Sequence, residues 1–288
     1  MATVTNEQSK AHKSPRRAIF TKVVFLRRII QAVFVGFAIF VGSRHLWAGS
    51  GPTGAASFDA YCPFGGIETL WQFITGGVFL RKLNYSNLVV LAATLATALV
   101  MGRAFCGWIC PLGSVQEWLA RLAQRLTGSR KAGKNGIPWL PVKLPPAVDR
   151  TLRYLKYGVL GWVLWSSVSA VVPPLEPFCP YKILFHFELE SALAWSVFIV
   201  MIAGSLLVER FWCRYLCPLG AVLSIFNKIS PLRVHTDKIV CTDCGLCGST
   251  CGMGIEDRPE NIRSLECIRC LDCLDTCKRP EAIELKLG

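Results

Sequence analysis

The chain has 288 residues, of which 52% are hydrophobic and only 18% charged, and it carries a formal net charge of +13. That balance, with a mean hydropathy of +0.40, sets aside an ordinary soluble domain and points to an integral membrane protein. The basic residues gather beside apolar segments and no nucleic-acid motif accompanies them, so the charge reads as a membrane face and no nucleic-acid partner is expected.

Residues 1–28 read as a basic cytoplasmic tail, with Lys10, Lys13, Arg16, Arg17, Lys22, Arg27 and Arg28. The apolar run that follows meets Arg44 and His45 without a small-residue cleavage site, so tail and anchor are expected to be retained. Residues 29–230 read as a membrane domain. Four apolar segments, Ile29–Trp47, Asn87–Phe105, Gly158–Val172 and Ala192–Val208, are long enough or nearly so to cross about 30 Å of hydrocarbon as helices. The connection from Arg121 to Lys156 is basic, with Arg125, Arg130, Lys131, Lys134, Lys143, Arg150 and Arg153; the other two connections carry mainly Arg81, Lys82 and Lys182. The positive-inside rule then puts both termini in the cytoplasm of a multi-pass protein of the bacterial inner membrane. The stretch Ile67–Leu80 is long and apolar for a plain loop and is a candidate to dip into the bilayer.

The membrane domain repeats itself. Segment one is followed by Tyr61-Cys62-Pro63-Phe64-Gly65 and segment three by Phe178-Cys179-Pro180-Tyr181. Segment two is followed by Cys106-Gly107-Trp108-Ile109-Cys110-Pro111-Leu112-Gly113 and segment four by Cys213-Arg214-Tyr215-Leu216-Cys217-Pro218-Leu219-Gly220. Each half is helix, Cys-Pro, helix, C-x-x-x-C-P-L-G. Proline after the second cysteine suits the first position of a new helix, whose free N–H groups would then face the thiols. Cys106, Cys110, Cys213 and Cys217 therefore read either as ligands of an additional metal or redox centre or as reduced structural cysteines. Cys62 and Cys179 fall on the opposite side and read as a disulfide, as parts of a re-entrant loop or as ligands. His45, His186, Glu68, Glu188 and Glu190 are candidates for hydrogen bonding and proton transfer at a quinol head group.

Residues 231–288 carry the most specific signal. Cys241, Cys244, Cys247 and Cys251, then Cys267, Cys270, Cys273 and Cys277, each spell C-x-x-C-x-x-C-x-x-x-C, the run that wraps three thiolates around one cubane cluster and lends the fourth to its neighbour. One [4Fe-4S] cluster should take Cys241, Cys244, Cys247 and Cys277, the other Cys267, Cys270, Cys273 and Cys251. A zinc site would pair two C-x-x-C knuckles across a long loop instead. Alternating residues at Pro231–His235 and Ala282–Leu287 read as the outer strands of this module. The fold expected is a mostly α integral membrane protein, four transmembrane helices in a duplicated two-helix repeat, followed by a small α+β ferredoxin-like two-cluster module.

Leu26-Arg27-Arg28, Cys106 to Gly113, Cys213 to Gly220 and the two ferredoxin runs, taken together, resemble the NapH/MauN family of membrane ferredoxin-type proteins. They resemble more distantly the polyferredoxin half of NosR. The resemblance implies a membrane-bound iron-sulfur electron-transfer protein, a quinol dehydrogenase subunit that draws on the quinone pool. Its electrons would pass through a partner ferredoxin or multihaem cytochrome toward a periplasmic reductase. The rival reading is an electron donor or metal-binding assembly factor for the maturation of a periplasmic metalloenzyme, since paired thiolates also suit copper(I). No hydrolytic triad, Walker loop or dinucleotide fingerprint is present.

Overall fold

Proline fixes φ for a first helical turn and has no N–H to lose there, and six of the twelve helices among the described residues open on one. The computed structural model describes residues 15–48, 63–76, 85–126, 145–169, 179–186, 192–255, 261–262, 264–279 and 281–287. The first half holds α1 (Pro15–Ala48), α2 (Pro63–Gly76), α3 (Tyr85–Met101), α4 (Ala104–Trp108) and α5 (Pro111–Leu126). The second holds α6 (Pro146–Ser169), α7 (Pro180–His186), α8 (Ala192–Leu207), α9 (Phe211–Tyr215) and α10 (Pro218–Ile229). Each half thus adds three further helices to the two apolar ones expected to cross the membrane. The expectation counted only long apolar runs, and α2 and α7, which follow the Cys-Pro pairs, are too short to register.

The halves are interleaved. α5 packs on α8 and α10 on α3, while α1 packs on α7 and α6 on α2. The faces that α5 and α10 bury carry small and polar residues, Ser114, Gln116 and Glu117 in one and Ala221, Ser224 and Asn227 in the other, while Leu122, Leu126, Ile225 and Ile229 stay exposed.

Two boundaries differ from expectation. α1 starts at Pro15, so residues 15–28 are helix and not tail, and its 34 residues span about 50 Å. α3 stops at Met101, because Gly102 turns left-handed at φ +52° and Phe105 falls in α4. Gly102 is also required for space, since a Cβ there would collide with Asn227 Oδ1. Among the described residues α1 is the one helix long and apolar enough to cross a membrane by itself, with Asn87–Met101 and Ala192–Leu207 shorter. The segment expected from Gly158 is the second half of α6.

The C-terminal module is α+β: β1 (Leu232–Thr236), α11 (Leu246–Ser249), β2 (Asn261–Ile262), α12 (Asp272–Thr276) and β3 (Ile283–Leu287). The sheet order is β2-β1-β3, all antiparallel, with Leu232 opposite Leu287 and Thr236 opposite Ile283. Val234, Leu271, Leu274 and Ile283 form its core together with Val24 of α1. Thr21 Oγ1 donates to Asp275 at 2.6 Å, so the first turns of α1 and the module lie on the same side.

Candidate metal centres

Both C-x-x-C-x-x-C loops follow one backbone track. The residues flanking the second cysteine are left-handed in each copy: Asp243 (φ 49°) and Gly245 (φ 69°) in one, Arg269 (φ 50°) and Leu271 (φ 64°) in the other. Glycine takes that conformation freely, but for the other three it costs on the order of 1–3 kcal/mol each. Such a cost persists where surrounding groups over-determine the turn, as when three thiols must face one point.

Cys251, Cys267, Cys270 and Cys273 line a single cavity with Met253, Ile268 and Leu271. Three come from the second copy and Cys251 from the first, the crossed set that the spacing predicts. At the other end Cys277 interacts with Cys247, Cys244 and Cys241, the complementary set. An apolar cavity walled by four thiols fits the donor set of a cubane cluster. Cys244 is exposed, and the Leu246 N–H holds its thiol below the ordinary value. Cys270 is pushed well up by burial and then by Asp272. The set with Cys244 thus has a solvent edge. Cys251 and Cys270 of the other set pack on the core that holds Ala98, Cys106, Leu223 and Ile268.

The C-x-x-x-C-P-L-G turns come together as well. α4 presents Cys106 and α9 presents Cys213, while Cys110 and Cys217 stand directly before α5 and α10. Gly220 N–H donates to Cys217 Sγ at 3.3 Å, and Gly113 N–H does the same for Cys110. Each of the four thiols interacts with the other three. Burial pushes Cys110 and Cys217 far up, reinforced by the neighbouring thiols, and raises Cys213 to about 11 against the pull of Arg210. Among the described residues no three His, Cys, Asp or Glu side chains converge where a single ion could sit.

Two arginines cross between the turns. Arg103 stands three residues before Cys106 and Arg210 three before Cys213, so R-x-x-C-x-x-x-C-P-L-G runs in both repeats. Arg103 donates to the Cys213 carbonyl at 3.2 Å and Arg210 to the Cys106 carbonyl at 2.6 Å. Each passes over a glycine of the opposite repeat: a Cβ on Gly113 would lie 3.0 Å from Arg210 Nη1, and one on Gly220 would lie 3.0 Å from Arg103 Nη2. The last glycine of C-P-L-G is room for the other repeat's arginine.

Both guanidiniums are buried against carboxylates. Arg210 pairs with Glu117, which also takes Arg27 and Arg121. Burial works to raise Glu117, but Arg210, Arg27 and Arg121 outweigh it and lower its pKa to about 2. Arg103 pairs at 2.8 Å with Glu266, a residue of the ferredoxin module that also takes Lys156. Further side chains fasten the module to the helices. Arg27 donates to the Cys270 carbonyl at 3.0 Å, Trp108 Nε1 to the Arg269 carbonyl at 3.0 Å, and Asn227 Nδ2 to the Cys267 carbonyl at 2.8 Å.

Sequence reasoning found the twelve cysteines of these turns and loops but missed Arg103, Arg210, Glu117 and Glu266. The arginines had a signal, since both occupy the same place in the repeat. Cys179 is half-buried at the start of α7. Cys62, Glu188 and Glu190 lie outside the described residues, so a Cys62–Cys179 bond does too. Glu68 is buried on α2, and His45 and His186 fall on α1 and at the end of α7.

A duplicated cysteine turn joined to a two-copy ferredoxin run defines an iron-sulfur protein of the electron-transfer class. The 4Fe-4S binding domain family matches residues 83–130 and again 192–236. Each match covers a cysteine turn and its flanking helices, and neither reaches the ferredoxin run. The chain is 30% identical over 259 residues to the uncharacterized protein MJ0750 of Methanocaldococcus jannaschii, covering 90% of this chain and 94% of that one. It is 26% identical to YccM of Escherichia coli over 89% of this chain and 72% of the other, and 26% identical to the ferredoxin-type protein NapH of Haemophilus influenzae over 75% and 80%. The chain belongs to the family of ferredoxin-type iron-sulfur electron-transfer proteins that includes NapH and MauN, with NirI and NosR as longer relatives. It corresponds to only 26% of the length of NirI from Paracoccus denitrificans. No solved structure matches it.

Proposed function

We propose that the chain is a membrane-embedded electron conduit that oxidises quinol and hands single electrons, through two [4Fe-4S] clusters, to a partner ferredoxin or multihaem cytochrome serving a periplasmic reductase. The observation that carries this reading is the cavity walled by Cys251, Cys267, Cys270 and Cys273, seated on the helices while Cys244 of the other set faces solvent. That gradient from apolar helices to an exposed thiol is the path such a carrier needs. When bound, each cluster supplies a one-electron centre whose potential follows burial and the hydrogen bonds around its sulfurs. Cys241, Cys244, Cys247 and Cys277 would hold one, and Cys251, Cys267, Cys270 and Cys273 the other. Ile268, Met253 and Leu271 keep water from the inner set, and Arg27 supplies a buried positive charge beside Cys270.

The apolar part of α1, the helices α3 and α8, and the half of α6 that begins at Gly158 are proposed to cross the membrane. Large apolar side chains stand exposed along them, among them Val33 and Phe40 on α1, Val89 on α3, Trp165 on α6 and Ile199 on α8. A continuous exposed apolar belt is what lipid covers. The basic residues near the module's side of the helices support the reading that this side faces the cytoplasm, with both termini there too.

The test is anaerobic addition of a menaquinol or ubiquinol analogue to the purified holoprotein, followed by electron paramagnetic resonance. Reduction of the cluster signals is expected. Iron-loaded protein that quinol leaves oxidised would refute the conduit, and stoichiometric copper binding without quinol reactivity would replace it with the assembly reading.

A further inference from the structure

We infer that Arg269 is the counter-charge of the inner ferredoxin set and raises the potential of the cluster held by Cys251, Cys267, Cys270 and Cys273. The inference deepens the two-cluster reading and rests on it.

The two ferredoxin runs offer an internal comparison. Asp243 and Arg269 hold the same place, immediately before the second cysteine of each run, and both are left-handed, at φ 49° and 50°. The backbone is matched and the charge reversed. Asp243 is exposed, where water screens it, whereas Arg269 is only 5% exposed. Taking a cation out of water costs far more than the strained turn does, unless an opposite charge meets it.

Five arginines are buried among the described residues, and four of them meet a carboxylate: Arg27 and Arg210 at Glu117, Arg103 at Glu266 and Arg214 at Asp149. Arg269 meets none among the described residues. Its Nη2 donates to the neutral Ser230 hydroxyl, and its Nη1 is buried without a partner. The titratable groups that act on it are the Cys267 thiol and a second cation, Arg233. Ser230 ends α10, and a Cβ on Gly102, just past α3, would lie 2.7 Å from Arg269 Nη1. Two helix ends thus fix the guanidinium in place, but a helix end offers only a fraction of a charge.

The inner cavity shows the same imbalance. Asp272 and Arg269 are the charged residues in its lining. Arg27 and Arg121 meet Asp272 at 3.3 and 3.4 Å, so the acid is compensated and the base is not. Four thiolates around a cubane core leave a net negative charge, which grows by one on reduction. A fixed cation beside Cys267 is matched by that charge and favours the more negative state. Asp243 acts in the opposite sense on the outer set, weakly, because it does so through water.

The experiment is a redox titration of the anaerobically purified full-length holoprotein followed by electron paramagnetic resonance. The inner signal is the one that Cys273→Ala removes, and the outer the one that Cys244→Ala removes. Arg269→Gln is expected to lower the inner midpoint, so that the reduced-to-oxidised ratio at the wild-type midpoint falls at least about threefold, roughly 30 mV at 59 mV per tenfold for one electron. The outer signal should stay in place as the control for folding. Arg269→Lys keeps the charge and should hold the inner midpoint near the wild-type value, and Asp243→Asn should move the outer midpoint by less than Arg269→Gln moves the inner one. An inner midpoint unmoved in Arg269→Gln, or lowered equally in Arg269→Lys, overturns the proposal and leaves Arg269 as a fastener of the module to α10. Loss of the inner signal in Arg269→Gln but not in Arg269→Lys is the expected result in stronger form, and loss in both overturns it. Clusters that quinol leaves oxidised, with the Arg269→Gln shift present, refute the conduit alone. Protein without iron-sulfur signals overturns both.

Discussion

Replacing Glu266 by glutamine asks whether charge holds the ferredoxin loop against the helices. Glu266 accepts from Arg103 at 2.8 Å and also from Lys156, and both cations are 0% exposed. Burial works against its ionisation, and Arg103 and then Lys156 carry its pKa below the ordinary carboxylate value. Removing one member of a buried pair costs about 3–5 kcal/mol, because the survivor keeps its charge in a dry site. Here two cations survive, and they respond differently. Arg103 cannot shed its proton. Lys156, on the turns of α6 ahead of its apolar half, is already lowered by burial and then by Arg103, so it loses its proton once the carboxylate is gone. The penalty is therefore set by Arg103 alone, about 3 kcal/mol at neutral pH. With the folded value of Lys156 depressed, the unfolded chain binds more protons, and stability rises with pH toward the lysine's unfolded value of about 10.4. The variant's deficit is thus widest near neutrality and narrows in alkali. Denaturant unfolding of the detergent-solubilised holoprotein at both pH values measures it. A deficit under about 1 kcal/mol at neutral pH, or one that widens in alkali, refutes the reasoning.

Gly107→Ala should free the ferredoxin loop, because the new Cβ would sit 2.5 Å from the Ile268 carbonyl oxygen; limited proteolysis reads this as faster cleavage after residue 255, and an unchanged digestion pattern contradicts it. Gly220→Ala pushes Cβ to 3.0 Å from Arg103 and 3.3 Å from the Cys213 carbonyl, an overpacking cost of about 1–3 kcal/mol that Gly113→Ala should match; a thermal midpoint unmoved in both sinks the idea that these glycines make room. Glu209 has its pKa raised to about 7 by burial and then by Glu117, so its contribution is lost as pH climbs from its unfolded value through 7. Glu209→Gln should therefore be more stable than wild type at alkaline pH, by about 2 kcal/mol, and no different from wild type in mild acid; a pH-independent difference rules this out. Stripping iron under reducing conditions should expose the cysteine loops to protease before α5 and α10, since Arg269 and Leu271 then hold left-handed turns around nothing, and loops as resistant as before would argue against the cluster assignment.

Much of the thiol geometry was legible because cysteine spacing is local. Eight cysteines at fixed steps predict a crossed grouping whatever the rest of the chain does, and Cys251, Cys267, Cys270 and Cys273 do line one cavity; the duplication appears once the Cys-Pro pairs are marked. The charge network was illegible for the opposite reason. Arg27, Arg121, Arg153 and Lys156 read in sequence as solvated charges beside a membrane. In the structure Arg27 and Arg121 share Glu117, Arg153 pairs with Asp149, and Lys156 is spent on Glu266. The partners of Arg27 and Lys156 lie far off in the chain, so no short window contains both members. Part of the positive bias that would orient the protein is thus neutralised internally. The start of α1 was misplaced on the same ground: its basic first turns look like a tail until Val24 is found in the core of the C-terminal module.

The interleaving of the two halves bears on how such a chain arose. An ancestral peptide carrying one unit would have had its amphipathic helix, and the arginine ahead of its first cysteine, aimed at surfaces it did not possess. Only a twin molecule could supply them. Gene fusion would then have tethered an existing homodimer, after which the second copy was free to trade its own carboxylate for one offered by the appended module.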